Sequence, residues 1–165
     1  MILLKNFKMN FLKILSAQEK MVIESQLSEQ FGIESIPGLI VKMGEERLFL
    51  FSGDLSEDEI KKLAASVPIE RLGIYFAKIM SGEDAIKPSI EGSQVLSAQI
   101  KKNVFELKNE QEVEDWMKGQ DLQIKTEKKG FLVIKYKEDF LGCGKASAEK
   151  IGNFIPKSRR LKQRG

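Results

Sequence analysis

The chain has 165 residues, 42% hydrophobic and 31% charged, with 4 Pro, a composition that folds rather than remaining disordered. It has no His and one Cys, Cys143, which excludes Ser-His-Asp and Cys-His catalysis, His-ligated zinc, an internal disulfide and multi-cysteine clusters. The formal net charge of +3 is unevenly spread: residues 145–165 carry seven Lys or Arg against Glu149, so residues 1–144 are net acidic.

Lys5, Lys8 and Lys13 interrupt residues 1–15, with no small-residue cleavage site after them, so no signal peptide is expected. No apolar run approaches the roughly 18 residues of a membrane helix. A lone cysteine suits a reducing compartment. The expected location is cytoplasmic, with no membrane partner.

Residues 10–15 are apolar and basic, and then Ser16 and Glu19 form a capping box. The box opens a helix with Met21, Ile23, Leu27 and Phe31 inward and Gly32 as its stop. Residues 39–43 and 47–51 read as a hairpin around Gly44-Glu45-Glu46. Ser56 and Glu59 cap a second helix, with Ile60, Leu63 and Ala64 inward, which Pro68 ends. Residues 72–76 read as a strand, 81–84 as a polar stretch and 88–95 as an extended segment that closes the sheet. Lys101-Lys102-Asn103 is a polar break and marks the expected domain boundary.

Beyond it, residues 104–107 read as a strand. Asn109 and Glu112 form a third capping box, for a helix with Val113, Trp116 and Met117 on one face and Gly119 at its end. Residues 122–125, 131–136, 140–144 and 150–155 read as short strands. Several short strands with one helix suggest a small barrel or half-barrel.

Gly142-Cys143-Gly144-Lys145 lacks the glycine spacing of a phosphate loop, and Ala146 stands where a Ser or Thr would bind magnesium. Its glycines read as a strand bend and Cys143 as a buried structural thiol. Glu106, Glu110, Glu112, Glu114 and Asp115 read as the acidic first turn of a helix rather than an acid–base pair. No catalytic residue, metal site or cofactor is expected. The run from Pro156 to Arg164 has two readings. Its Lys157, Arg159 and Arg160 neutralise phosphates and release counterions, or the run is a solvated tail. Tyr136, Phe140 and Phe154 stand near these cations in sequence and read as core rather than as stacking platforms.

Residues 104–161 resemble a PUA domain, the RNA-binding module named for pseudouridine synthases and archaeosine transglycosylases. The resemblance rests on the ordered segments Val104-Phe105-Glu106-Leu107, Trp116-Met117-Lys118-Gly119-Gln120-Asp121-Leu122, Gly130-Phe131-Leu132-Val133-Ile134-Lys135-Tyr136 and Phe140-Leu141-Gly142-Cys143-Gly144-Lys145-Ala146. The closing stretch, Ile151-Gly152-Asn153-Phe154-Ile155-Pro156-Lys157-Ser158-Arg159-Arg160-Leu161, is similar to the PUA-like segment of RNA cytosine-C5 methyltransferases. Arg47-Leu48-Phe49-Leu50-Phe51-Ser52-Gly53, Leu72-Gly73-Ile74-Tyr75-Phe76 and Ser89-Ile90-Glu91-Gly92-Ser93-Gln94 are similar to an α/β domain preceding a PUA domain in small pre-rRNA-processing factors.

The resemblance implies an α+β protein: an N-terminal α+β domain over residues 1–102, then a small PUA-like β-barrel over 103–165 that ends in the basic tail. It implies RNA binding by Lys118, Gly119, Gln120, Lys145, Lys157, Arg159 and Arg160. The stretch between Asp121 and Phe131 is shorter than the longer PUA pattern. The methyl-transfer activity is not carried over, because Cys143 follows Gly142 rather than a proline. The expected protein is a non-catalytic binder of structured RNA, rRNA ahead of tRNA, in pre-rRNA processing or ribosome assembly. Ribosome-assembly or RNA-modification proteins are the expected partners of the N-terminal domain. The alternative is an accessory RNA-binding subunit of an RNA-modification enzyme. A small carboxylate enzyme and a protein adaptor with an incidental basic tail are two readings of other classes.

Overall fold

The computed structural model describes residues 11–82 and 85–162. Lys5, Lys8 and Arg164, named above, and the parts of the ranges above that fall on residues 1–10, 83–84 and 163–165 lie outside the described residues. The first sheet runs in the order β1 (Leu12–Ile14), β2 (Leu39–Met43), β3 (Arg47–Phe51), β4 (Ile74–Met80), β5 (Ala85–Pro88), every pair antiparallel. Ile40 lies opposite Leu50 and Val41 opposite Phe49. Alternation therefore makes both faces of the hairpin apolar. Ile40, Leu48 and Leu50 enter the main core, whereas Val41, Met43 and Phe49 form a second cluster with Ile69, Leu72 and Tyr75.

Helix α1 (Ala17–Phe31) begins at the expected capping box, with both of its hydrogen bonds formed, and ends at Gly32. It buries Ile23, Leu27 and Phe31 in the main core. Met21, expected inward, is 66% exposed, because two residues before Ile23 is roughly the opposite side of a helix with 3.6 residues per turn. Helix α2 (Glu57–Ser66) also has its box but buries only Ile60. Leu63, expected inward, is 41% exposed.

Residues 88–95, expected to be extended, hold the end of β5 and then helix α3 (Ile90–Val95). Ser89 starts that helix, its Oγ accepting from Gly92 N at 2.9 Å, a cap that turns the chain out of the strand. The closing strand is therefore one segment earlier. Gly92 allows α3 to lie against β4, since a Cβ there would overlap the Phe76 carbonyl, 2.7 Å from its carbon.

The second sheet has the order β6 (Val104–Glu106), β7 (Gly130–Tyr136), β8 (Asp139–Ala146), β9 (Ile151–Asn153). Its β6–β7 pair is parallel, as the intervening helix α4 (Glu110–Met117) requires of a crossover. No ladder joins β6 to β9, so the expected barrel is present as an open four-stranded sheet. Residues 122–125 contribute one bridge, Leu122 to Ile151, rather than a strand. Asn109 caps α4 through Glu112 N, but the Glu112 carboxylate accepts from Lys108 N at 2.7 Å, so this third box stays open.

Phe131, Val133, Phe140 and Cys143 belong to the same core as the first sheet. Leu132, Ile134 and Ala146 point the other way, onto Trp116 and Leu107. Helix α3 joins the two halves: Ser93 Oγ accepts from Gly142 N at 3.2 Å, and Gln94 Nε2 donates to Phe140 O at 3.2 Å. The architecture is mixed α/β, with four α-helices and two sheets among the described residues. Among them no helix is long and apolar enough to cross a membrane.

Gly92→Ala is expected to push α3 off β4 and cost about 3 kcal/mol, the upper part of the overpacking range. At roughly 2–4 °C per kcal/mol, thermal unfolding should show a midpoint lowered by about 6–12 °C.

Candidate nucleic-acid interface

Trp116 fixes the end of α4. It is fully buried, and its Nε1 donates to Leu141 O at 2.9 Å. Lys118 caps the helix, with its ammonium 2.5 Å from Glu114 Oε1 and its side chain 23% exposed. Gly119 follows at φ +92°, a backbone state natural only to glycine. The chain end returns to this point, where Leu161 N donates to Met117 O at 2.9 Å. Arg160 Nε donates to Ile155 O at 3.1 Å, and its side chain lies across Gly119, where a Cβ would stand 2.6 Å from Cζ. The missing side chain at Gly119 thus makes room for Arg160.

Gln120 is exposed, and its carbonyl accepts from Asn153 Nδ2 at 3.0 Å. Asn153 Nδ2 also donates to Trp116 O at 2.8 Å. Asp121 accepts from Lys150 Nζ at 2.5 Å and from Asn153 N at 2.8 Å. The Lys150 ammonium first, then the Asn153 amide, hold its carboxyl below the usual range. These bonds tie the loop after α4 to β9 and set the position of its cations.

Lys157 and Arg159 lie on an exposed 3₁₀ turn (Lys157–Arg159) that leads into Arg160. Lys157 makes no ion pair among the described residues. Arg159 Nη2 is 2.5 Å from Glu91 Oε1 at the start of α3. Lys118, Gly119, Gln120 and Arg160 therefore come together, Lys157 lies on the turn beside them, and Arg159 is turned toward the first half. Lys145 does not join the group. Its neighbour Ala146 faces α4, so by alternation Lys145 points to the opposite face of the sheet, with Nζ 5.4 Å from the Phe131 ring centre.

On that face Lys87 of β5 lies 4.8 Å from the Phe154 ring centre, and the Phe131 and Phe154 rings meet edge-on at 5.6 Å. Burial lowers the Lys87 pKa. Sequence reasoning missed Lys87 because the cation is far in sequence from Phe154, and no local pattern links them. Phe140 is buried, and Phe154 and Tyr136 pack against the two cores, as their reading as core residues required. Cys143 is 3% exposed, and burial pushes its thiol pKa up.

Residues 102–161 match the methyltransferase RsmF PUA domain family. Over 144 residues the chain is 26% identical to ribosomal RNA small subunit methyltransferase F of Psychromonas ingrahamii. The alignment covers 85% of this chain and 28% of that protein, so the chain spans less than a third of the relative's length. It is more than twice as long as the family match, so the similarity reaches into the N-terminal half.

Asp121→Ala should cost about 1.5 kcal/mol at neutral pH, the low end for a charged hydrogen bond because Lys150 is half exposed. The folded carboxyl has a lowered pKa, so its contribution is complete above the ordinary value of about 4 and is lost as pH falls through the lowered one. Urea midpoints of the two proteins should therefore converge in strong acid. Gly119→Ala is expected to displace Arg160 and speed hydrogen exchange at the Leu161 amide, with little change at the β7 amides.

Proposed function

We propose that this chain, whose residues 102–161 form a PUA domain similar to that of RNA cytosine-C5 methyltransferases, is a non-catalytic RNA-binding protein. It acts on ribosomal RNA, in pre-rRNA processing or ribosome assembly. The observation that carries this is the return of the basic chain end to the Lys118-Gly119-Gln120 loop, with Arg160 across Gly119 and Leu161 N bonded to Met117 O, inside the matched residues. Lys118 and Lys157 supply phosphate contacts, and Arg160 braces the loop that presents them. Selectivity comes from the shape of folded RNA and its 2′-hydroxyls, because the A-form major groove is too narrow for side chains. Support for a binding role comes from Cys143, the one thiol, which is shut away from solvent in an apolar core with its thiolate disfavoured.

The N-terminal half would meet assembly or modification proteins. The second reading is an accessory RNA-binding subunit of a modification enzyme, and what it rests on is an alignment with a methyltransferase that extends beyond the PUA match. Stoichiometric co-purification with a methyltransferase would select that reading.

Fluorescence anisotropy with an rRNA fragment and an equal-length DNA duplex, across a salt series, tests the main claim. RNA should be preferred, and Lys118→Ala with Lys157→Ala should make the log–log salt slope shallower by about 1.4–1.8 units. Equal, weak binding to both polymers with an unchanged slope would sink it.

A further inference from the structure

Two clefts meet at one tyrosine, away from the loop after α4. The first, of about 1110 Å³, opens at the β2–β3 turn and is lined by Lys42, Arg47 and Lys78 among others. The second, of about 410 Å³, lies between the start of β4, the start of α3 and the basic tail, with Arg71, Glu91 and Arg159 in its walls. Tyr75 lines both. Its electrostatics agree: burial raises the phenol pKa, Arg47 of the first cleft pulls it down, and Glu46 of the first and Glu91 of the second push it up. Phe49 supports the ring, with centres 5.5 Å apart.

The residue types along this path are selective. The chain has 22 Lys and only 5 Arg, yet three of the five arginines line these adjoining clefts. Lysine suffices for solubility, whereas a guanidinium offers paired donors that match phosphate oxygens and a flat face for bases. Of the acids here, Glu46 pairs with Lys78 at 2.9 Å and Glu91 with Arg159 at 2.5 Å; Glu45 lies at the turn. Arg47 and Arg71 have no ion pair among the described residues.

We propose that the path from Arg47 past Tyr75 to Arg71 and Arg159 binds an unpaired segment of the RNA, with phosphates on the guanidinium groups and a base stacked on Tyr75. A paired base could not reach the ring, so the segment is single-stranded. This assignment rests on the RNA-binding reading and extends it: the PUA domain holds folded RNA while the first sheet takes an adjoining unpaired flank. Arg159, at the end of the PUA match, joins the two contacts.

The test is anisotropy with an rRNA hairpin, blunt or carrying a single-stranded extension of about six nucleotides at either end. The extension should tighten binding of the unaltered protein about tenfold, as one stacked base and added phosphates allow. Arg47→Ala with Arg71→Ala should abolish that gain and make the salt slope for extended RNA shallower by about 1.4 units. Arg47→Lys with Arg71→Lys should restore the slope but only part of the gain. Lys118→Ala with Lys157→Ala should weaken both RNAs and keep the gain. Equal binding of blunt and extended RNA by the unaltered protein overturns the junction site and leaves the PUA reading standing. Failure to bind either RNA overturns the PUA reading, and the junction site with it. A gain that survives the Arg47 and Arg71 alanine substitutions, with only a lowered melting temperature, shows the clefts to be structural and overturns the site.

Discussion

Both faces of the β2–β3 hairpin are apolar, and much of the molecule's arrangement follows from that. A sheet buried on two sides needs two covers. Helix α1 provides part of one cover, and the second sheet, through Phe131, Val133, Phe140 and Cys143, completes the same core. On the other face Ile69 and Leu72, from the connection between α2 and β4, pack beside Tyr75 of β4. The halves on either side of Lys101-Lys102-Asn103 thus share apolar side chains. Phe31 O accepts from Lys101 N and Asn103 Nδ2 donates to Gln30 O across that break.

That shared core dictates where the cations go. With one face of the second sheet against the first, Lys145 is held beside Phe131, together with Lys87 and Phe154. Trp116 and α4 take the other face, and the chain end must return along α4 to cover Ile155 and Met117. The return brings Arg160 over Gly119 and leaves Lys157 exposed. Helix α3, fitted between the sheets by Gly92 and Ser93, carries Glu91 to Arg159. One packing decision therefore sorts the basic residues into a braced group after α4, a half-buried pair at the junction, and a path toward Arg71 and Arg47.

Much of the secondary structure was legible in the residues because its causes are local. The Ser16–Glu19 and Ser56–Glu59 boxes, the hairpin at Gly44 and the strand at 130–136 each depend on groups within a few positions. The PUA resemblance was legible because its ordered segments lie in one continuous stretch, the stretch the family match covers. The misreadings have physical causes too. Ile90 and Val95 suggested a strand, but Ser89 competes for the Gly92 amide and starts a helix. Leu63 suggested a second inward position on α2, but that helix meets the core through Ile60.

The candidate site divides the same way. Residue order was enough to place Lys118, Gly119 and Gln120 in a turn after a helix, and Lys157 to Arg160 in a basic run. It could not show that Arg160 fills the space above Gly119, that Lys145 faces away from both, or that Arg47, Arg71 and Arg159 line adjoining clefts. Those facts are set by contacts between residues tens of positions apart, whose free energy comes from burying apolar faces against one another. Short-range hydrogen bonding and alternation write the elements into the chain, whereas shared burial, with no local signature, chooses which charged side chains become neighbours.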